Sequence, residues 1–310
     1  MASTFANTSE VDFAFIPETT FGTTPTDPSF QRFRITSESL TPNISNQTTN
    51  EIRPDADISD LVQTGASAGG DVGFELAYGS EMDTIFEHAL RGSFNTGTLT
   101  AGTDKKSLSL EKKFVLDGSN DYFLRYTGAR VGSLSLNMSS GSIITGSIGF
   151  QTIDEASDDT IINNATYTDA NTNDIMAAPD VASISIGSIT GDVFLTDLSL
   201  NINNNLRNQN AIGNLFSVGI GYGLREVTGN MTVYFNADTK QIYDNFVAGT
   251  ESSLSFDLTD GTNTYTVNLP RVKYVSGNVT AGGNNQDVFA EMQFQALYDS
   301  GSGTSIEVTN

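Results

Sequence analysis

Apolar and polar residues alternate with a period of two along most of the chain. Val72, Phe74 and Leu76 are separated by Gly73 and Glu75, and Leu254, Phe256 and Leu258 by Ser255 and Asp257. Similar runs are Leu108/Leu110, Leu134/Leu136/Met138, Leu198/Leu200/Ile202, Met231/Val233/Phe235, Tyr265/Val267/Leu269 and Val288/Ala290/Met292/Phe294. Successive side chains of a strand point to opposite faces, so each run predicts a strand with one face in a core. Two segments follow a helical period instead. Met82, Ile85, Phe86, Ala89 and Leu90 share a face over 81–90, as do Ile242, Tyr243, Phe246 and Val247 over 237–247. Ser80 and Gly92 are the expected caps of the first helix, and Asn236 and Gly249 those of the second. The expected fold class is all-β with flanking short helices.

The two helices occupy matching places in the two halves. Each follows a strand that starts just after a glycine, Gly70 or Gly229, and each ends at a glycine. Ala129-Arg130-Val131 is similar to Pro270-Arg271-Val272, Phe150-Gln151-Thr152 to Phe294-Gln295-Ala296, and Ile52-Arg53 to Leu206-Arg207. Like elements in a fixed order point to an internal duplication. The expected division is a first repeat over 1–155, an acidic polar connector over 156–180 and a second repeat over 181–310. From 154 to 180 there are seven Asp or Glu and no Lys or Arg, which reads as a solvated linker.

Two longer segments, 45–69 and 203–228, interrupt the alternation. Both are polar and glycine-rich, yet they hold isolated apolar residues. Structureless loops of this length are uncommon in a compact domain. Apolar residues on them need a cover, which a partner subunit would supply. The candidate contact residues are Ile52, Arg53, Asp57, Ile58, Leu61 and Val62 in the first segment. In the second they are Leu206, Arg207, Ile212, Leu215, Phe216 and Val218. The alternative is an ordinary hairpin whose apolar residues fold back on their own core.

Charge narrows the function. The net charge is −22, from 15 basic and 37 acidic residues. A nucleic-acid binder needs the opposite balance, so this surface repels phosphates and anionic lipid. The chain has no cysteine, which excludes disulfides and thiolate metal sites. Its one histidine, His88, lies within the first helix and reads as a surface or boundary residue. No nucleophile has a recognisable base partner. The glycines at 65–70 and 219–223 lack the residues of a phosphate-binding loop or a dinucleotide fingerprint. Asp55, Asp57 and Asp60 form a D-x-D-x-x-D cluster without the glycine and glutamate of a calcium loop, and they read as a solvated acidic surface. No catalytic residue, cofactor or metal is expected. The start of the chain lacks a basic leader region, and no apolar run approaches a membrane span.

Pro17-Glu18-Thr19-Thr20-Phe21-Gly22-Thr23-Thr24-Pro25, then Phe30-Gln31-Arg32-Phe33-Arg34-Ile35, resembles the opening of siphophage major tail tube proteins. So do Asn50-Glu51-Ile52-Arg53-Pro54-Asp55 and Gly70-Asp71-Val72-Gly73-Phe74-Glu75-Leu76-Ala77-Tyr78-Gly79-Ser80. The resemblance is specific over 15–95 and general elsewhere. It implies tail-tube-type β-sandwich or barrel repeats whose sheets join between subunits into a ring. Stacked rings would conduct DNA without binding it specifically, and the acidic balance would line the lumen. The duplicated form implies homotrimer rings with pseudo-sixfold symmetry; a homohexamer is the alternative. The two long segments then become inter-ring contacts. Further implied partners are a tail terminator and baseplate or tape-measure proteins, with assembly in the host cytoplasm and no membrane. Competing readings are another virion ring or fibre-associated β-protein, or a secreted calcium-dependent adhesion protein.

Overall fold

The computed structural model describes residues 5–117, 120–187 and 189–310; residues 1–4, on which the expectation about a leader region falls, lie outside the described residues. In the first half the elements are β1 (Asp12–Pro17), β2 (Ser29–Arg32), β3 (Ser37–Glu38), β4 (Thr41–Thr48), β5 (Leu61–Glu75), α1 (Ser80–Leu90), β6 (Thr98–Thr100), β7 (Leu108–Asp117), β8 (Asn120–Ser139), β9 (Thr145–Thr152), β10 (Asp154–Asp158) and β11 (Thr166–Thr168). In the second they are β12 (Val181–Ile186), β13 (Leu195–Asn203), β14 (Arg207–Gln209), β15 (Gly219–Gly221), β16 (Glu226–Tyr234), α2 (Lys240–Ala248), β17 (Ser252–Thr259), β18 (Thr264–Thr280), β19 (Phe289–Ala296) and β20 (Glu307–Thr309). The chain is all-β with short helices, as the alternation predicts. The apolar members of the strand runs are buried, except Phe235 and Val288 just beyond strand ends.

One ladder runs through both halves in the order β4–β5–β9–β8–β13–β16–β19–β18. The long strands β8 and β18 each leave it to enter a second ladder. Residues 123–126 of β8 pair with both β7 and β10, and residues 266–268 of β18 with both β17 and β20. β1 then joins β7, and β12 joins β17. The order of pairings in one half therefore recurs in the other. Local detail recurs as well. Gly70 faces Phe150 across β5–β9, and Gly229 faces Phe294 across β16–β19. The Ser39 hydroxyl accepts the Asp71 N–H at 2.9 Å, and the Ser199 hydroxyl accepts the Asn230 N–H at 3.2 Å. Register places Val131 opposite Phe150 and Tyr274 opposite Phe294, each before a bulge. Val131 thus corresponds to Tyr274, two residues beyond the Val272 suggested by sequence.

A single apolar core spans both halves, and α1 is central to it. Phe86 meets Tyr265 edge-on with ring centroids 5.3 Å apart, and the Tyr265 hydroxyl donates to Asp83 at 2.7 Å. The helix ends differ from expectation. The Gly79 carbonyl accepts the first helical N–H groups, so Ser80 lies inside α1. Arg91, at φ 57°, stops the helix one residue before Gly92. For α2, Asn236 accepts the N–H groups of Asp238 and Thr239, the helix proper begins at Lys240, and Gly249 ends it at φ 65°. His88 is not a surface residue. The helix packs on β8, β13 and β6, which leaves the histidine 4% exposed. Its Nδ1 bonds the Thr84 carbonyl at 2.7 Å, and burial lowers its pKa to about 4.

The segment 156–180 is a strap laid on the first half and not a free linker. Part of β10 lies on β8, β11 runs parallel to β2, and Met176 is fully buried. Its anchor is the buried Glu111–Arg125 ion pair at 2.7 Å. The Tyr167 hydroxyl donates to Glu111, and Arg125 also reaches Asp158 and the Thr160 carbonyl.

Candidate assembly surfaces

The segment 45–69 is mostly the arms of a long hairpin. β4 and β5 pair from Thr41–Gly69 out to Thr48–Leu61, with one irregularity at Ser45/Asn46. Every residue from 43 to 64 except Thr49 is exposed. Eight residues separate Leu61 from Gly69, so the paired arm extends by roughly 26 Å at strand rise. The connecting turn is shaped by its own bonds. The Thr49 and Ser59 hydroxyls are 2.6 Å apart, Ser59 donates to Glu51 at 2.7 Å, and Arg53 pairs with Asp55 at 2.7 Å. The Arg53 guanidinium holds the Asp55 carboxyl below its usual range. Ile52 is 103% and Ile58 73% exposed, and Leu61 and Val62 are exposed beside them. Asp57 is exposed as well, and its N–H leans on Asp55. Among the described residues no group of three His, Asp or Glu side chains is placed to hold a metal ion, and Asp55, Asp57 and Asp60 are all exposed.

The segment 203–228 forms a small flap. β14 and β15 pair as a separate two-stranded sheet, and Ile212, Leu215 and Val218 are exposed on the turn between them. Arg207 is also exposed, whereas Leu206 and Phe216 are half-buried and fold back on the chain. The two candidate segments touch: the Ala66 N–H donates to the Leu215 carbonyl at 2.8 Å. By register, however, Arg53 and Arg207 are not equivalent. Asn43 matches Asn203, which puts Arg53 on the far turn of the hairpin and Arg207 close to the body.

Sequence reasoning missed a cationic pocket of about 490 Å³ under this flap, lined by Phe21, Arg91, Lys105, Arg130, Arg207 and Tyr222 among others. Arg130 is 7% exposed. It donates to the Ile220 carbonyl, and its Nε has no hydrogen-bond partner. Its guanidinium lies 4.4 Å from the Phe21 ring centre and 4.7 Å from that of Tyr222. Arg91 stacks on Tyr222 at 4.0 Å. Arg225 sits behind, bonded to the Gly102 carbonyl at 2.5 Å. Burial first, and then Arg91, pulls its pKa down to about 10. These residues lie far apart in sequence, so no local pattern announces them.

Next to the pocket, Glu18 is held by four donors. The Gly22 and Gly128 N–H groups lie at 2.8 Å, and the Ser107 and Ser109 hydroxyls at 2.7 and 2.9 Å. Gly22 adopts φ 74° to make this turn. The motif from Pro17 to Pro25 is thus a loop wrapped around one carboxylate, with Phe21 carried beneath Arg130.

A family model described as phage tail tube protein matches residues 8–296. The chain belongs to that family. Tail tube proteins are structural components of the virion and not enzymes, and they assemble with themselves into a tube and with other tail proteins. No curated protein matches the chain. Among the described residues no helix is long and apolar enough to cross a membrane.

Proposed function

We propose that this tail tube protein is a tandem duplication, that three copies close a pseudo-sixfold ring, and that rings stack into the tube of a long non-contractile tail. The observation that carries the proposal is the seam inside the chain. β8 of the first half pairs with β13 of the second, from Ser133–Asn203 to Ser139–Asp197. The counterpart of β13 is β4, and the counterpart of β8 is β18. Among the described residues, the outer edge of β4 and the 273–280 edge of β18 have no strand partner. Open edges promote strand pairing, and a repeated head-to-tail pairing closes into a ring. Copying the internal seam places Thr41 of one copy beside Asn278 of the next, and Asn43 beside Ser276. Pro42 stands where Ile202 stands, so that rung lacks one N–H donor.

The hairpin residues Ile52, Arg53, Asp57, Ile58, Leu61 and Val62 and the flap residues Leu206, Arg207, Ile212, Leu215, Phe216 and Val218 then serve as contacts between rings. A net charge of −22 per chain favours a lumen that repels phosphates, so DNA passes without adhering. Ends of such a tube would meet a tail terminator and baseplate or tape-measure proteins. The test is the rotational symmetry of rings imaged by electron microscopy together with their mass. Three copies per ring supports the proposal. Six copies per ring overturns it, because the second half would then occupy no ring position of its own.

A further inference from the structure

The pocket under the flap gathers Arg91, Lys105, Arg130 and Arg207 at its wall and Arg225 behind it, five of the chain's 15 basic residues. None of the five forms an ion pair among the described residues, and no carboxylate lines the pocket. Glu18, whose charge reaches Arg130, is already engaged by its four donors. In a chain of net charge −22, so concentrated an unpaired cationic site calls for an anionic occupant. Arg130 is largely buried with its Nε unsatisfied, which marks a built site and not a scatter of surface charge.

The chain carries a matching acidic group. The far turn of the hairpin holds Glu51, Asp55, Asp57 and Asp60 with only Arg53 to offset them, and all are exposed, so they do not fill their own chain's pocket. Ile52 and Ile58 beside them match Val218, which lines the pocket, and the exposed Ile212 and Leu215 on the same flap turn. We infer that the acidic turn of the β4–β5 hairpin of one copy docks into the arginine pocket of a second copy. The inference rests on the tail tube reading and adds to it the receptor for the hairpin. Apolar rim contacts would hold the turn while the carboxylates meet the guanidinium groups, which gives the contact its polarity and its sensitivity to salt.

The test is a charge exchange on full-length protein. Arg207→Glu alters an exposed wall residue, and a hairpin variant replaces Asp57 by Lys, so that one charge is exchanged on each side. Each alone raises the protein concentration needed for tube formation by about tenfold or more, and combining them restores much of the loss. Wild-type assembly should also weaken as NaCl rises. Single variants that assemble like the wild type, or a combination that behaves as the sum of its parts, overturn the docking while leaving the tube reading intact. A second measurement does not depend on tubes. Because the chain has no cysteine, Asp57→Cys and Val218→Cys subunits can be mixed and oxidised, and a disulfide-linked heterodimer should form. Its absence refutes the docking. Saturation of the pocket by a short DNA oligonucleotide, with no cross-link, would instead make it a phosphate site and also overturn the inference.

Discussion

Glu18→Ala should unfold the subunit more easily than any other single change in the amino-terminal loop. The carboxylate accepts two backbone N–H groups and two hydroxyls, all within 2.7–2.9 Å. A hydrogen bond to a charged group contributes about 1.5–3 kcal/mol, and a donor left without a partner costs about 1–3 kcal/mol. The four are not additive, since they share one group. Ser109 retains an alternative partner in Thr24, whose hydroxyl is 2.9 Å away, and hydroxyls can rotate. The Gly22 and Gly128 amides cannot turn to water without moving the loop. Two stranded amides set the loss at about 2–5 kcal/mol for Glu18→Ala. Glu18→Gln keeps one acceptor oxygen and should lose about half as much. Urea unfolding of the unassembled subunit measures both values. A Glu18→Ala variant within about 0.5 kcal/mol of wild type would refute the claim that this carboxylate organises the loop.

Gly229→Ala should destabilise by about 1–3 kcal/mol in the same assay, because the new Cβ would lie 2.2 Å from the Ser199 carbonyl and 2.4 Å from the Phe294 ring. Gly141→Ala meets nothing within 4 Å but sits at φ 78°, so it isolates backbone strain from crowding. His88 has a folded pKa of about 4 against an ordinary 6.5. Stability should be full above pH 6.5 and fall by up to about 3 kcal/mol as pH drops from 6.5 to 4, since only the unfolded chain takes up the proton in that window. His88→Gln should flatten that slope; an unchanged slope assigns the pH dependence to other groups. Thr41→Cys with Asn278→Cys should give disulfide-linked closed rings on oxidation, while a ladder that never closes, or no cross-link, would count against the copied seam.

Strand faces were the most legible part of the fold. Leu254, Phe256 and Leu258 needed only their spacing, since a half-buried strand imposes it. The hairpin arms were hidden because Gln63-Thr64-Gly65-Ala66-Ser67 carries no large apolar alternation; only its partner strand defines it. His88 was misread because a helix wedged against several strands buries residues outside its main apolar stripe. The strap was misread because Tyr167 and Met176 are isolated in an acidic stretch, and their burial depends on Phe30 and Glu111 far away in sequence. Among candidate contacts, exposure at Ile52, Ile58 and Ile212 could be guessed from apolar residues in polar surroundings. The arginine pocket could not, because Arg91, Arg130, Arg207 and Arg225 meet only after the two halves have packed.

The continuous ladder through β8 and β13 bears on how quickly a tube can grow. If three chains close each ring, half of the six sheet-to-sheet joints are already made when a subunit finishes folding. Those joints form at the high effective concentration of a single chain and do not await a collision. Only the remaining three depend on how much protein has accumulated, so rings should nucleate from a dilute pool in which six separate modules would still be apart. In such a ring the same covalent link would also let the two halves diverge: one with a projecting hairpin, the other with a flap over a pocket, in a fixed alternation that separate identical modules could not maintain.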